Sequence, residues 1–305
     1  MPAIPSYRSC KVVGKPRRRQ SRCMRNHYVP QFLQRTWTSP HDGSLEVYHL
    51  TASGVHCTRK VPKSAGFKND MLSLSRDQVA GMDKHAIEKV VLQQIDNDAA
   101  LVRAKLHNRQ LSTLSHDERC AWVRFIMSLR LRDPSIVETL VVDSDKELRK
   151  SLTLNRFEYE QLAGDDDPEN LEAWTESHFP GLIENFGLSF YADLINDARI
   201  GNQLLHLQWW IFDVSSAPNR LLLGDRPSIF FGGIDHPDLA VVLPIAPDRL
   251  FIATRGDGLK AGLPQVSVKE LTLRVNDATV RQAATYVYGQ DAQSCRFIVN
   301  RRSVG

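Results

Sequence analysis

Hydrophobic periodicity shifts from helical to strand spacing near Gly201 of this 305-residue chain, and that change restricts the fold class more than any other feature. Upstream, apolar residues recur at helical spacing. Ile87, Val91, Ile95, Val102 and Leu106 predict a helix from Asp83 to about His107. Ser115-His116-Asp117-Glu118 is a capping box opening a helix that buries Trp122, Phe125, Ile126 and Leu129. Proline pushes its predecessor out of the α region, so Asp133-Pro134 ends that helix and caps the next. Leu171–Ser177 and Leu182–Asn196 read as further helices, separated by Pro180-Gly181. Downstream, short apolar runs at 207–214, 220–223, 240–244 and 249–253 read as strands. A helix from about Val268 to Tyr288 and a last strand at Arg296–Val299 complete the chain. Nearer the start, Leu45–Leu50 and Val55–Thr58 flank Thr51-Ala52-Ser53-Gly54 as a β-hairpin. The expectation is an α+β fold: N-terminal β-hairpin, helical middle section, and C-terminal, mostly antiparallel sheet with a closing helix. No long linker interrupts residues 26–305, which predicts a single domain there.

Charge is distributed unevenly. Residues 1–25 hold Arg8, Lys11, Lys15, Arg17, Arg18, Arg19, Arg22 and Arg25 with no acid, a charge of +8. The whole chain carries +4, which leaves the remainder at a net −4 once +8 is removed. The basic segment reads as a disordered tail, able to bind nucleic acid by releasing phosphate counterions or to act simply as a solvated leader. The five cysteines, Cys10, Cys23, Cys57, Cys120 and Cys295, form no Cys-x-x-Cys pair, so neither a zinc site nor a disulfide framework is indicated. No apolar run is long enough to cross a bilayer, and residues 1–25 lack the apolar core of a secretory signal. Cytoplasmic location and no membrane partner are the expectations.

The stretch Asn26-His27-Tyr28-Val29-Pro30-Gln31-Phe32-Leu33-Gln34-Arg35-Thr36-Trp37 gathers a histidine, amides, an arginine and three aromatics where the basic segment gives way to the body. It resembles the opening signature of the domain of unknown function 4238 family, a His-Tyr-Val-Pro-Gln-Phe run closely followed by arginine. Three weaker landmarks follow in that family's order. They are an acid before paired alanines (Asp96 before Ala99-Ala100), Arg132-Asp133-Pro134, and Gly224-Asp225-Arg226-Pro227 followed by Leu243-Pro244-Ile245-Ala246-Pro247. The chain departs from the pattern at three places. Gly224 replaces a usual serine, Arg226 a common asparagine, and Asp96 a usual glutamate, which disfavours serine-nucleophile chemistry in the 224–227 loop. The resemblance brings no function with it.

Residue chemistry narrows the options. Histidine exchanges protons near neutral pH, and arginine offers a planar fork for phosphate. An aspartate beyond a strand end can orient a histidine or hold a metal. One reading is therefore an enzyme cleaving phosphodiesters: His27 as base, Asp225 as its orienter, and Gln31, Arg35 and Arg132 binding substrate. Asp96 and Asp225 are candidate ligands for a divalent metal. The substrate would be nucleic acid concentrated by the basic segment, or a phosphorylated small molecule. The alternative is a non-catalytic nucleic-acid-binding or protein-interaction domain in which the same residues serve the core: His27 and Arg35 anchoring the chain, Arg132 pairing with Asp96 or Asp98, and Asp225 satisfying turn amides. At 100° per residue from Ile87, Asp98 falls about 20° from the apolar stripe and Asp96 about 180° away, so Asp98 is the carboxylate expected to face inward.

Overall fold

The computed structural model describes residues 23–75, 78–79 and 82–302, so all but the last three residues of the basic segment lie outside the described residues. The chain enters through a short strand, β1 (Arg25–His27), and a four-residue helix, α1 (Gln31–Gln34). The hairpin forms as β2 (Leu45–Thr51) and β3 (Gly54–Lys60), with Leu45 opposite Lys60 and Thr51 opposite Gly54. Strand β4 (Phe67–Asn69) returns to pair with β1, and β5 (Gln78–Val79) pairs with β6 (Met82–Asp83).

A π-helical segment, Ile87–Leu92, runs straight into α2 (Gln93–His107). The capping box opens α3 (His116–Leu131): Ser115 Oγ accepts from the Glu118 amide while the Glu118 carboxylate accepts from the Ser115 amide. Asp133 caps α4 (Pro134–Leu154) by accepting from the Ser135 amide. Next come α5 (Arg156–Leu162), α6 (Leu171–His178), α7 (Leu182–Ser189), α8 (Tyr191–Ile195) and α9 (Ala198–Leu205). The helix expected over 182–196 is thus broken at Phe190, and helical structure continues past Gly201. Ile95, Ala99, Val102 and Leu106 of α2 pack with Trp122, Phe125, Ile126 and Leu129 of α3 in the main core. Trp122 and Phe125 lie 5.1 Å apart between ring centroids. Among the described residues no helix is long and apolar enough to cross a membrane.

The C-terminal part contributes β7 (Gln208–Asp213), β8 (Leu223–Gly224), β9 (Ile229–Phe231), β10 (Ala240–Ala246), β11 (Arg249–Thr254), α10 (Asp257–Gly262), α11 (Val268–Gln282), β12 (Tyr286–Gly289) and α12 (Cys295–Arg302). All strand pairings are antiparallel among the described residues. One sheet has the order β7-β11-β10-β9; the other has β3-β2-β12-β8. The fold is α+β. The hairpin is no separate unit, since β12, close to the C-terminus, is hydrogen-bonded along β2 from Tyr286–His49 to Gly289–Glu46.

Two expected elements are corrected at this end. The helix from Val268 stops at Gln282, because Asp225 accepts hydrogen bonds from the amides of Ala284, Thr285 and Tyr286 and draws that segment out to become β12. The segment expected as a last strand is α12, whose Ile298 is buried in the cluster around Tyr48 and Val287. Asp291 nucleates the turn before α12 by accepting from the Gln293 amide.

The inward-facing carboxylate is also corrected. Asp96 meets Arg132, whereas Asp98 accepts from Gln94 at the surface. Counting from Ile87 assumed α-geometry throughout. A π-turn holds one extra residue, about 100° of helix phase, so the count was out of register by the time it reached 96.

Candidate functional site

The signature becomes a wall by local chemistry. His27 ends β1 opposite Phe67, while Tyr28 and Val29 are buried. Pro30 then sets φ at −57° and its carbonyl accepts from the Leu33 and Gln34 amides, starting α1. Fully buried Gln34 donates from Nε2 to the Val29 carbonyl at 2.6 Å and the Ala65 carbonyl at 3.1 Å. Gly66 makes this clamp possible. Its φ is +62°, and a Cβ there would lie 2.7 Å from Gln34 Nε2. Trp37 completes the signature, its indole donating to the Leu221 carbonyl at 2.8 Å and tying residues 26–37 to the approach of β8.

Between the signature and the helix running from the π-segment into α2 lies a cavity of about 480 Å³. His27, Gln31 and Arg35 line it from the signature side; Glu88, Lys89 and Asp96 line it from the helical side. His27 Nε2 is buried and has no hydrogen-bond partner among the described residues. Burial holds the His27 imidazole below its ordinary value of 6.5, with the Arg25 charge acting in the same direction against two backbone hydrogen bonds. Burial raises the Glu88 carboxyl above 4.5; a hydrogen bond from Asn26 and the Arg132 charge oppose that rise, and the Asp96 charge adds to it. Asn26 Nδ2 donates to Glu88 Oε2 at 3.0 Å, while its Oδ1 accepts from the Leu72 amide at 3.2 Å. Arg35 is exposed, and among the described residues no carboxylate pairs with it.

The remaining sequence candidates sit behind the cavity. Arg132 is 1% exposed and donates to both oxygens of Asp96, at 3.1 and 2.7 Å. The Tyr191 hydroxyl is buried without a hydrogen-bond partner among the described residues, beside the charges of Arg132, Glu88 and Asp96, and burial raises its pKa. Asp225 does not line the cavity. Both its oxygens accept backbone amides, at 2.6 to 2.9 Å, and its own amide donates to the Tyr286 carbonyl. Burial nevertheless raises its carboxyl above 3.8, against those three amides. Asp96 and Asp225, the metal candidates, thus give all four carboxylate oxygens to protein donors. Among the described residues no group of three or more His, Cys, Asp or Glu side chains is arranged to hold a metal ion.

Bonds join three of the four sequence landmarks and tie the signature to the helical run that carries Asp96. Asn26, next to His27, reaches Glu88; Asp96 holds Arg132; and Asp133, the neighbour of Arg132, pairs at 2.5 Å with Arg226, the neighbour of Asp225. Arg226 also donates to Ser135 Oγ, so the residue standing where asparagine is common carries a bond of its own. Sequence reasoning assigned no role to Glu88, Asn26 or Tyr191. The one signal was the position of Asn26 inside the signature; Glu88 and Tyr191 are brought here by the fold.

Fold and site define an α+β protein with a polar, partly enclosed cavity built on a histidine- and arginine-bearing entry strand and helix. The chain belongs to the family described as "Protein of unknown function (DUF4238)", whose model matches residues 25–293 and so spans the signature, both four-stranded sheets and all four landmarks. No curated protein and no solved structure matches it.

Proposed function

We propose that the cavity beside the signature is an acid–base site for cleaving phosphodiesters. His27 Nε2 removes the proton from the attacking hydroxyl, oxygen attacks phosphorus, and the leaving oxygen takes the Glu88 proton as its bond to phosphorus breaks. Arg35, exposed and paired with no carboxylate among the described residues, binds a non-bridging phosphate oxygen, with Gln31 beside it as a neutral donor. The carrying observation is His27, whose buried Nε2 has no hydrogen-bond partner among the described residues, on the wall of a cavity that Glu88 and Arg35 also line. Their shifts agree: histidine is biased toward the neutral base and glutamate toward the protonated acid. Arg132 acts from behind, fixing Asp96 and adding positive potential. Asp225 has no part in this reading. The eight cations of residues 1–25 lead into β1, whose last residue lines the cavity, which favours a polyanionic substrate such as nucleic acid over a phosphorylated small molecule.

The second reading, a non-catalytic nucleic-acid-binding or protein-interaction domain, draws support from the buried hydrogen bonds that Gln34, Arg132 and Asp225 make in the core. The discriminating experiment compares wild type, His27→Ala, Glu88→Gln and Arg35→Ala on RNA, single-stranded DNA and a chromogenic phosphodiester. Each is assayed with EDTA, Mg²⁺ or Mn²⁺, and melting temperatures are measured alongside. Wild-type cleavage that falls at least about 100-fold in His27→Ala at unchanged melting temperature supports the enzyme. Binding without cleavage under every condition leaves the second reading standing.

A further inference from the structure

Cys57 in β3 and Cys295 at the start of α12 are 238 residues apart in sequence, yet their sulfurs lie 3.4 Å from one another. Both are free thiols; Cys57 is exposed and Cys295 half-buried. The contact is held in place from both sides. Tyr48, directly opposite Cys57 across the hairpin, donates its hydroxyl to the Asp291 carbonyl at 2.5 Å, fixing the turn that delivers Cys295. Farther along α12, Ile298 is fully buried and Arg301 pairs with Asp277 of α11 at 2.9 Å. An S–S bond is about 2.05 Å long, so the sulfurs need to approach by only about 1.4 Å, a distance within reach of side-chain rotation.

We propose that Cys57 and Cys295 are a disulfide-forming pair that reacts with small-molecule disulfides of the glutathione type and staples the C-terminal helix to the outer strand of the hairpin. One cysteine, as thiolate, attacks a sulfur of the small disulfide and expels one thiolate, leaving a mixed disulfide. The second cysteine, also deprotonated, attacks the protein-bound sulfur and expels the other. Two protein thiols and one small disulfide become one protein disulfide and two small thiols, with electrons and protons balanced. Burial and the adjacent Cys295 sulfur push the Cys57 thiol up to about 11. Where Cys57 is the attacking group, its thiolate is scarce at neutral pH and exchange accelerates as pH rises. The bond would close a loop spanning most of the chain, the arrangement in which a cross-link restricts the unfolded ensemble most.

The test uses the full chain, reduced with dithiothreitol and then exposed to oxidised glutathione. Intact mass and non-reducing peptide mapping are expected to show loss of two hydrogens and one cross-linked peptide containing Cys57 and Cys295. The melting temperature should rise by several degrees and return on reduction. Cys57→Ser and Cys295→Ser each abolish both effects, whereas Cys120→Ser leaves them intact. Stable glutathione adducts on Cys57 or Cys295 without internal closure would overturn the proposal. So would cross-links distributed over other cysteines, or a cross-linked form that melts lower than the reduced one.

Discussion

Arg132 and Asp96 form a two-pronged ion pair in which the arginine is sealed from solvent and the aspartate is about one quarter exposed on the cavity wall. It joins the C-terminal end of α3 to the first turn of α2. Removing one member of such a pair costs more than the pair contributes, because the other charge is left buried and unmatched. Arg132→Ala should therefore lower stability by about 3 kcal/mol in urea unfolding. Arg132→Met with Asp96→Leu should recover much of that loss. A single-variant cost under about 0.5 kcal/mol, the range of ordinary surface changes, would refute this role.

Asp225 is an anchor for β12. Asp225→Ala leaves three amides without their acceptor and should cost about 2–4 kcal/mol, with Asp225→Asn intermediate because one carbonyl oxygen remains. Hydrogen exchange at Ala284, Thr285 and Tyr286 is the local readout. Protection there that is unchanged in Asp225→Ala would count against it.

Gly66 carries both a left-handed φ and the closest approach to Gln34. Gly66→Ala should lower stability by at least about 1 kcal/mol, combining backbone strain with a displaced buried amide. A melting curve identical to wild type would show that neither constraint operates.

Cleavage should show a bell-shaped dependence on pH. His27 acts only when unprotonated and titrates below 6.5, so the rising limb of kcat/KM lies below that value. Glu88 acts only when protonated and titrates above 4.5, so the falling limb lies above that value. Asn26→Ala removes the hydrogen bond that lowers the Glu88 pKa and should move the falling limb to higher pH. A profile flat from pH 5 to 8 would contradict the assignment.

His27 also contributes to stability through pH. Its folded pKa is depressed, so the unfolded chain binds the proton more readily, and stability present above 6.5 is lost as pH falls below it. His27→Gln should flatten the decline of melting temperature between pH 7 and 5. An unchanged slope would mean the imidazole titrates alike in both states.

Much of the architecture was legible in the residues because it is decided locally. The capping box at Ser115, the Asp133-Pro134 junction and the hairpin around Ala52-Ser53 each satisfy backbone groups within a few positions, so spacing alone reveals them. The signature named His27, Gln31 and Arg35 as candidates, and the structure puts all three on one cavity wall.

Tertiary structure decided what local rules leave open. Whether the chain after Gln282 continued as helix or turned into β12 was settled by a carboxylate 59 to 61 residues away, and Arg296–Val299 became part of a helix that buries Ile298 against the hairpin sheet. Glu88 became the second acid of the cavity through Asn26, 62 positions distant, and through a π-segment whose extra residue per turn redirects everything after it. Sequence alone therefore determined the capping box, the Asp133-Pro134 junction, the hairpin and the signature. The fold decided which charges were desolvated together, because burial and pairing depend on neighbours brought together across the chain.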